Sequence, residues 1–263
     1  MERKTFIENV ISNIKNDSEI LGLALGGSWI TNEIDEFSDI DMILVTENKI
    51  AQDVKKMISY ANRFGNLLNG FTGEHVGEKR LLICLYDNPL LHVDIKFLTP
   101  EELYVRVENP EIVWERDRAL TDIIEKSEFE FPYPDYQWIE DRFWTWIHYV
   151  STKIGRGELF EAHDAISFLR ANVIAPLLQI KNNKLPKALR KIEFIISEND
   201  LLRLKNTVPE YNIRSTINCL EEIIQLYIDL RSEVFTNNVE LKKNVQKISI
   251  QYFSKIKQRF YQN

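Results

Sequence analysis

Apolar residues at Phe6, Ile7, Val10, Ile11 and Ile14 recur at helical spacing and predict an amphipathic helix at the start of the chain. The run Ile20–Leu25 reads as a buried strand ended by Gly26 and Gly27, and Asp39 to Val45 as a second strand with acidic positions among its apolar ones. Helical spacing returns at Ile50, Val54, Met57, Ile58 and Ala61. Two further apolar runs, Arg80–Tyr86 and Leu90–Phe97, flank the turn residues Asp87-Asn88-Pro89 and predict a β-hairpin. Thr99-Pro100-Glu101-Glu102 carries three agreeing helix-start signals: Thr as N-cap, Pro in the first turn and Glu at the third position. The first half is therefore expected to be a mixed α/β unit.

The segment Glu128–Asp135, with Pro132 and Pro134, fits neither period and is expected to be a linker. Beyond it helical periodicity dominates, punctuated near Gly155–Gly157, Asn182–Pro186, Asn206–Pro209 and Thr236–Asn238. One stripe joins Ile217, Leu220, Ile223, Ile224, Tyr227, Ile228 and Leu230. The expected organisation is an α/β domain over residues 1–130, with a mixed sheet, and an all-α helical bundle over 136–263.

Charge divides the same way. Residues 1–135 hold 14 Lys and Arg against 26 Asp and Glu, and residues 136–263 hold 19 against 14. An acidic first half argues against a nucleic-acid binder, because a phosphate backbone calls for a basic footprint. It suits a protein that collects metal ions or a cationic small molecule, though acidic surface also serves solubility. Cys84 and Cys219 lie far apart without metal or redox spacing, and are expected to be buried free thiols. The N-terminus lacks a signal-peptide pattern and no apolar run approaches a membrane span, so a soluble, cytoplasmic protein is expected.

The chemistry concentrates in Leu25-Gly26-Gly27-Ser28-Trp29 and Asp39-Ile40-Asp41. The glycines permit a tight turn with exposed backbone N–H groups, and Ser28 opens a short helix, an arrangement suited to phosphate oxygens. Asp39 and Asp41, two apart on a strand, point to one face. Such carboxylates can converge on a hard cation, and Mg²⁺ is bound by carboxylates together with substrate phosphates. Asp94, between Val93 and Ile95, is the candidate third carboxylate on a neighbouring strand. Singly each signal is weak, since a Gly-Gly-Ser is most often a loop and an Asp-x-Asp usually faces solvent.

Together, in this order, Gly27-Ser28, Asp39-Ile40-Asp41 and Val93-Asp94-Ile95 resemble the nucleotidyltransferase superfamily that includes DNA polymerase β. The resemblance covers roughly residues 20–98. It implies a mixed sheet with helices, two Mg²⁺ ions held by Asp39, Asp41 and Asp94, and attack of an acceptor on the α-phosphate of ATP or another NTP with pyrophosphate leaving. The acceptor's proton could pass to Asp94 or to a carboxylate of the helical half. The two-part layout is also similar to that of bacterial antibiotic nucleotidyltransferases that modify aminoglycosides or lincosamides. The run from Lys153 to Ala162, ahead of a helix with Arg170, resembles a segment of the lincosamide-type members, a shorter and less specific likeness.

On the helix expected over Tyr136–Arg156, Ile139, Phe143, Ile147, Val150 and Ile154 form the core stripe. A second face collects Trp138, Arg142, Thr145, Tyr149, Lys153 and Arg156, cations and aromatics able to meet a triphosphate and a base or sugar. Lys153 and Tyr149 are the nucleotide-binding candidates there, against the plain alternative of a solvated face. His148 is expected to be structural, and His75 and His92 carry no pattern. Glu158, Glu161 and Asp164 are candidates to meet a cationic acceptor, or simple surface acids. The expected function is transfer of a nucleoside monophosphate, AMP from ATP, to a hydroxyl of a small molecule such as an aminoglycoside- or lincosamide-like antibiotic. That acceptor is expected in a cleft between the two domains, with no membrane partner. The rivals are transfer to protein or RNA, and a non-catalytic nucleotide-binding protein.

Overall fold

Helix α1 (Glu2–Ile14) turns Phe6, Ile7, Val10 and Ile14 inward, the stripe its spacing predicts. The chain is described by a computed structural model over residues 2–262. Its contacts resolve it into two units, the first ending at Pro132 and the second beginning at Tyr133.

In the first unit β1 (Ile20–Leu25), β2 (Ile40–Thr46), β3 (Asn66–Gly73), β4 (Glu78–Asp87), β5 (Leu91–Leu98) and β6 (Glu111–Glu115) form one sheet. Its order is β3-β4-β5-β2-β1-β6. β2 and β5 run parallel, and every other pairing is antiparallel. The predicted hairpin is β4–β5. β3 and β6, at the two edges, were not expected from the sequence. β3 holds Asn66, Asn69 and Gly70, poor strand formers, and only Gly73 at its end is buried. Pairing with β4 over Asn66–Gly73 makes it a strand.

One face of the sheet is the main core. Ile40, Met42, Leu44, Val93, Ile95, Phe97, Leu82, Cys84 and Tyr86 pack there under α1 and α2 (Val54–Ala61), which supplies Met57, Tyr60 and Ala61. Side chains alternate across a strand, so the residues between these face the other way. On that opposite face Ala24, Val45 and Leu98 lie under Leu103 of α3 (Pro100–Leu103) and Leu120 and Ile123 near and on α4 (Thr121–Lys126). The cover ends there, and the part of this face beyond it is left half-buried. Both signals of a capping box operate at α3, with Thr99 and Glu102 each bonding the other's backbone N–H.

The second unit is helical: α5 (Tyr136–Arg156), α6 (Leu159–Leu169), α7 (Ala175–Lys181), α8 (Ile192–Ile195), α9 (Glu198–Lys205), α10 (Ile213–Val234) and α11 (Lys243–Tyr261). Ile139, Phe143, Ile147, Val150 and Ile154 of α5 are fully or almost fully buried, and each such apolar side chain contributes about 1.5–3 kcal/mol. Gly157 ends α5 in the left-handed conformation at φ +75°, where a side chain is strained. A π-helical turn, Arg170–Ile174, joins α6 to α7 ahead of Pro176, which has no N–H to continue an α-helical ladder. Cys84 and Cys219 are free and buried, and burial pushes the Cys84 thiol up to about 12. Among the described residues no helix is long and apolar enough to cross a membrane.

Candidate active site

The parallel pairing of β2 with β5 sets Asp41 directly beside Asp94, and Ile40 beside Val93. Neighbouring strands are about 4.8 Å apart, so the two carboxylates rise from adjacent positions on the face opposite the main core. Both side chains are half-buried, as is that of Asp39, which immediately precedes β2. Burial pushes the Asp94 carboxyl above its usual range, the neighbouring His92 pulls it down, and the charge of Asp39 raises it further. Asp94 thus feels the charge of Asp39 and stands beside Asp41 in register. Clustering like charges is costly unless a cation is shared among them.

Hard oxygen donors in this arrangement fit Mg²⁺. Among the described residues no three His, Cys, Asp or Glu side chains are gathered tightly enough to hold an ion alone. That is the usual situation for Mg²⁺, which takes one or two carboxylates and completes its shell with substrate phosphates and water.

The turn after β1 lies against the same patch. The Gly26 N–H donates to the Asp41 carbonyl at 2.9 Å, tying the turn to β2. Gly27 sits at φ +59°, the left-handed region that favours glycine, and starts a single 3₁₀ turn, Gly27–Trp29. The Ser28 hydroxyl is buried and has no hydrogen-bond partner among the described residues, and the Trp29 Nε1 shares that condition. An unsatisfied buried hydroxyl costs about 1–3 kcal/mol.

Two neighbours of the patch escaped the sequence reading. His92 Nε2 lies 3.0 Å from Asp94 Oδ1. Its signal was available, since residues two apart on a strand share a face, the rule that paired Asp39 with Asp41. Glu108, on the loop between α3 and β6, brings Oε1 to 3.9 Å from where a Cβ on Gly26 would stand, with the Asp41 Cβ at 3.5 Å from the same point. No sequence pattern could have found it, because a loop residue's approach is set by the fold.

In the helical unit, Lys153 is held by Glu158 Oε2 at 2.9 Å and Glu161 Oε1 at 2.8 Å, and lies 5.1 Å from the Tyr149 ring centroid. Tyr149 also bonds Glu161. Hydrogen bonds to Glu161 and Glu158 raise the Lys153 pKa, so the ammonium stays charged. The structure therefore joins four of the predicted residues, Tyr149, Lys153, Glu158 and Glu161, into one network. Arg142 covers Trp138 at 4.4 Å, and the exposed His148 ring packs on Tyr252 at 4.5 Å.

The family model of the streptomycin adenylyltransferases matches residues 1–256. The chain belongs to that family. It is an adenylyltransferase, and the matched range takes in both the aspartate patch and the helical unit. Among solved structures, an aminoglycoside 6-adenyltransferase from Bacillus subtilis is similar at 16% identity, covering 95% of this chain and 96% of that one with a TM-score of 0.37. A nucleotidyltransferase-like protein from Exiguobacterium sibiricum 255-15 is similar at 10% identity, with 94% and 78% covered and a TM-score of 0.34. The spectinomycin adenyltransferase from Enterococcus faecialis, solved with ATP and spectinomycin, is similar at 14% identity, with 97% and 98% covered and a TM-score of 0.30. No curated protein matches the chain.

Proposed function

We propose that this streptomycin adenylyltransferase family member transfers AMP from ATP to a hydroxyl of a small aminoglycoside-like molecule and releases pyrophosphate. The observation that carries the reading is the register of Asp41 against Asp94 on parallel strands, with Asp39 beside them and the unpartnered Ser28 hydroxyl on the adjoining turn. Asp39, Asp41 and Asp94 would hold Mg²⁺, which when bound neutralises triphosphate charge and polarises the α-phosphorus. The Gly27 and Ser28 turn receives phosphate oxygens on its backbone N–H groups and the Ser28 hydroxyl. The acceptor oxygen forms a bond to the α-phosphorus as the bond to the bridging oxygen of pyrophosphate breaks. The hydroxyl proton passes to a carboxylate, either Asp94 or one of the helical half.

Lys153 and Tyr149 belong to the same proposal as nucleotide contacts. Lys153 would meet a triphosphate by exchanging Glu158 and Glu161 for phosphate oxygens, one set of anions for another around the ammonium. Lys153→Ala should then raise the KM for ATP without unfolding the helical unit, and an unchanged KM would remove Lys153 from the site.

The test of the function is pyrophosphate release with ATP, Mg²⁺ and streptomycin or spectinomycin. Acceptor-dependent release that disappears in Asp39→Asn is expected. Wild-type-level release in that variant would overturn the assignment of the carboxylates.

A further inference from the structure

Residues 30–39 lead from the turn at Gly27 to β2 and carry only turns, with neither helix nor strand. Burial does little to hold them. Phe37 is 85% exposed, and residues 31–33, 35 and 36 are exposed as well. A hollow of about 490 Å³ lies against Trp29, Asn32, Ile34 and Glu36, and Arg3 and Lys4 of α1 also line it. The end of the loop is knotted on itself. The Asp35 carboxylate accepts from the Phe37 N–H and the Ser38 hydroxyl, and the Asp35 N–H donates to Ser38 Oγ, each at 2.9 Å. These bonds stay within the loop, so they shape it without tying it to the rest of the unit.

Arg3 makes the tie. Its Nε donates to the Ser38 carbonyl and its Nη2 to the Glu36 carbonyl, both at 2.6 Å, across 35 and 33 residues of chain. A planar guanidinium that engages two carbonyls at once fixes their direction as well as their distance, which an ammonium does not. Arg3 is itself rooted, because Phe6, Ile7 and Val10 on the following turns of α1 are buried in the main core. The Ser38 carbonyl belongs to the rigid peptide plane that leads into Asp39. Orienting that plane sets the direction in which the Asp39 backbone continues.

We propose that Arg3 is a positioning residue of the nucleotide site: from α1 it orders the loop ahead of β2 and so aims Asp39 at the Mg²⁺ of Mg·ATP. It touches no substrate and acts through the Ser38–Asp39 peptide. Groups that orient a metal-facing side chain govern metal affinity nearly as strongly as the ligand itself. The inference rests on Asp39 facing Mg·ATP, as proposed above, and not on transfer to any acceptor.

Amide hydrogen exchange in the full chain reads the tie, and calorimetric titration of Mg·ATP reads its consequence. In Arg3→Ala the amides of residues 30–39 should exchange about tenfold faster or more, with those of β2 and β5 unchanged. Mg·ATP affinity should fall about tenfold, the lower end of the range for such orienting groups. Arg3→Lys, which keeps the charge and loses the fork, should recover only part of each effect. The decisive arm is Arg3→Ala in the Asp39→Asn background. There Mg·ATP affinity should fall by less than about twofold further, because the residue through which Arg3 acts is already disabled. An Arg3 that serves only the fold lowers affinity equally in both backgrounds. That result, or exchange or affinity in Arg3→Ala equal to wild type, would overturn the proposal. Pyrophosphate release with streptomycin or spectinomycin separates it from the function proposed above. Mg·ATP affinity that falls in Arg3→Ala, with no release by the wild type, would support the positioning role and sink the transfer. Release that Arg3→Ala leaves unaltered would do the reverse.

Discussion

Glu140 and the aspartates of β2 and β5 are both acids taken out of full solvent, and the two regions treat them in opposite ways. Glu140, in the helical unit, is wholly buried and saturated. Its carboxylate accepts from Tyr227 Oη at 2.6 Å, Arg231 Nη1 at 3.0 Å, Trp144 Nε1 at 3.3 Å and the Lys242 backbone N–H at 2.8 Å. Those donors come from α5, α10 and Lys242, the cap residue just before α11, so the carboxylate pins three parts of the bundle. Asp39 makes no hydrogen bond or ion pair among the described residues, and Asp94 has the exposed His92. A buried acid whose donors are all supplied by the chain is structural. Asp39 and Asp94 repel one another and have one such donor between them, so they keep unused capacity, the property that the proposed cation and triphosphate require.

That contrast predicts which property each substitution moves. Glu140→Ala should cost about 3–5 kcal/mol of stability, because Arg231 would be left buried without its counter-charge. Denaturant unfolding that shows a loss below about 1 kcal/mol would mean the network is not a keystone. Asp41→Asn should do the converse, lowering turnover by about 10²–10³-fold, or about 3–4 kcal/mol of activation free energy, with little change in unfolding. If it unfolds the protein instead, the aspartates are structural and the comparison fails.

Asp200 sharpens the comparison on the structural side. Burial would raise its pKa, but Asn182 and Lys181, at 2.8 and 3.0 Å, hold it below the usual carboxylate value. A depressed folded-state pKa contributes stability that is present above the unfolded value and lost as pH falls through the folded one. Asp200→Asn should therefore cost about 1–2 kcal/mol at pH 7. The gap to wild type should close as pH falls below the unfolded value of 3.8. Thermal unfolding across that range checks it, and a gap that widens toward acid would contradict the ion pair.

The smallest expected effect has the most diagnostic sign. Ser28→Ala removes a buried hydroxyl without a partner, so stability should hold or rise by up to about 1 kcal/mol while the KM for ATP increases. Lost stability with unchanged KM would show that Ser28 serves the fold and not the phosphates.

Much of this was written locally along the chain. The helical stripe of α5 and its Gly157 stop, the capping box at Thr99, and the β4–β5 hairpin follow from period, cap and turn residues within a few positions of one another. The Gly27-Ser28 and Asp39-Ile40-Asp41 motif was equally legible, since a turn and a two-residue strand repeat are local features. β3 and β6 were not, because Asn66–Gly73 and Glu111–Glu115 become strands only through the neighbours they pair with. Three juxtapositions also depend on distant segments meeting. Register across fifty-odd residues sets Asp94 beside Asp41, and loop packing delivers Glu108 to Gly26. The facing of α5 against α6 makes one hollow of Trp146, Asp164 and Phe168. Periodicity says which way a side chain leaves its own strand or helix. What it meets there is decided by tertiary packing, because the partner's position depends on hydrogen-bond register and burial summed over the whole unit.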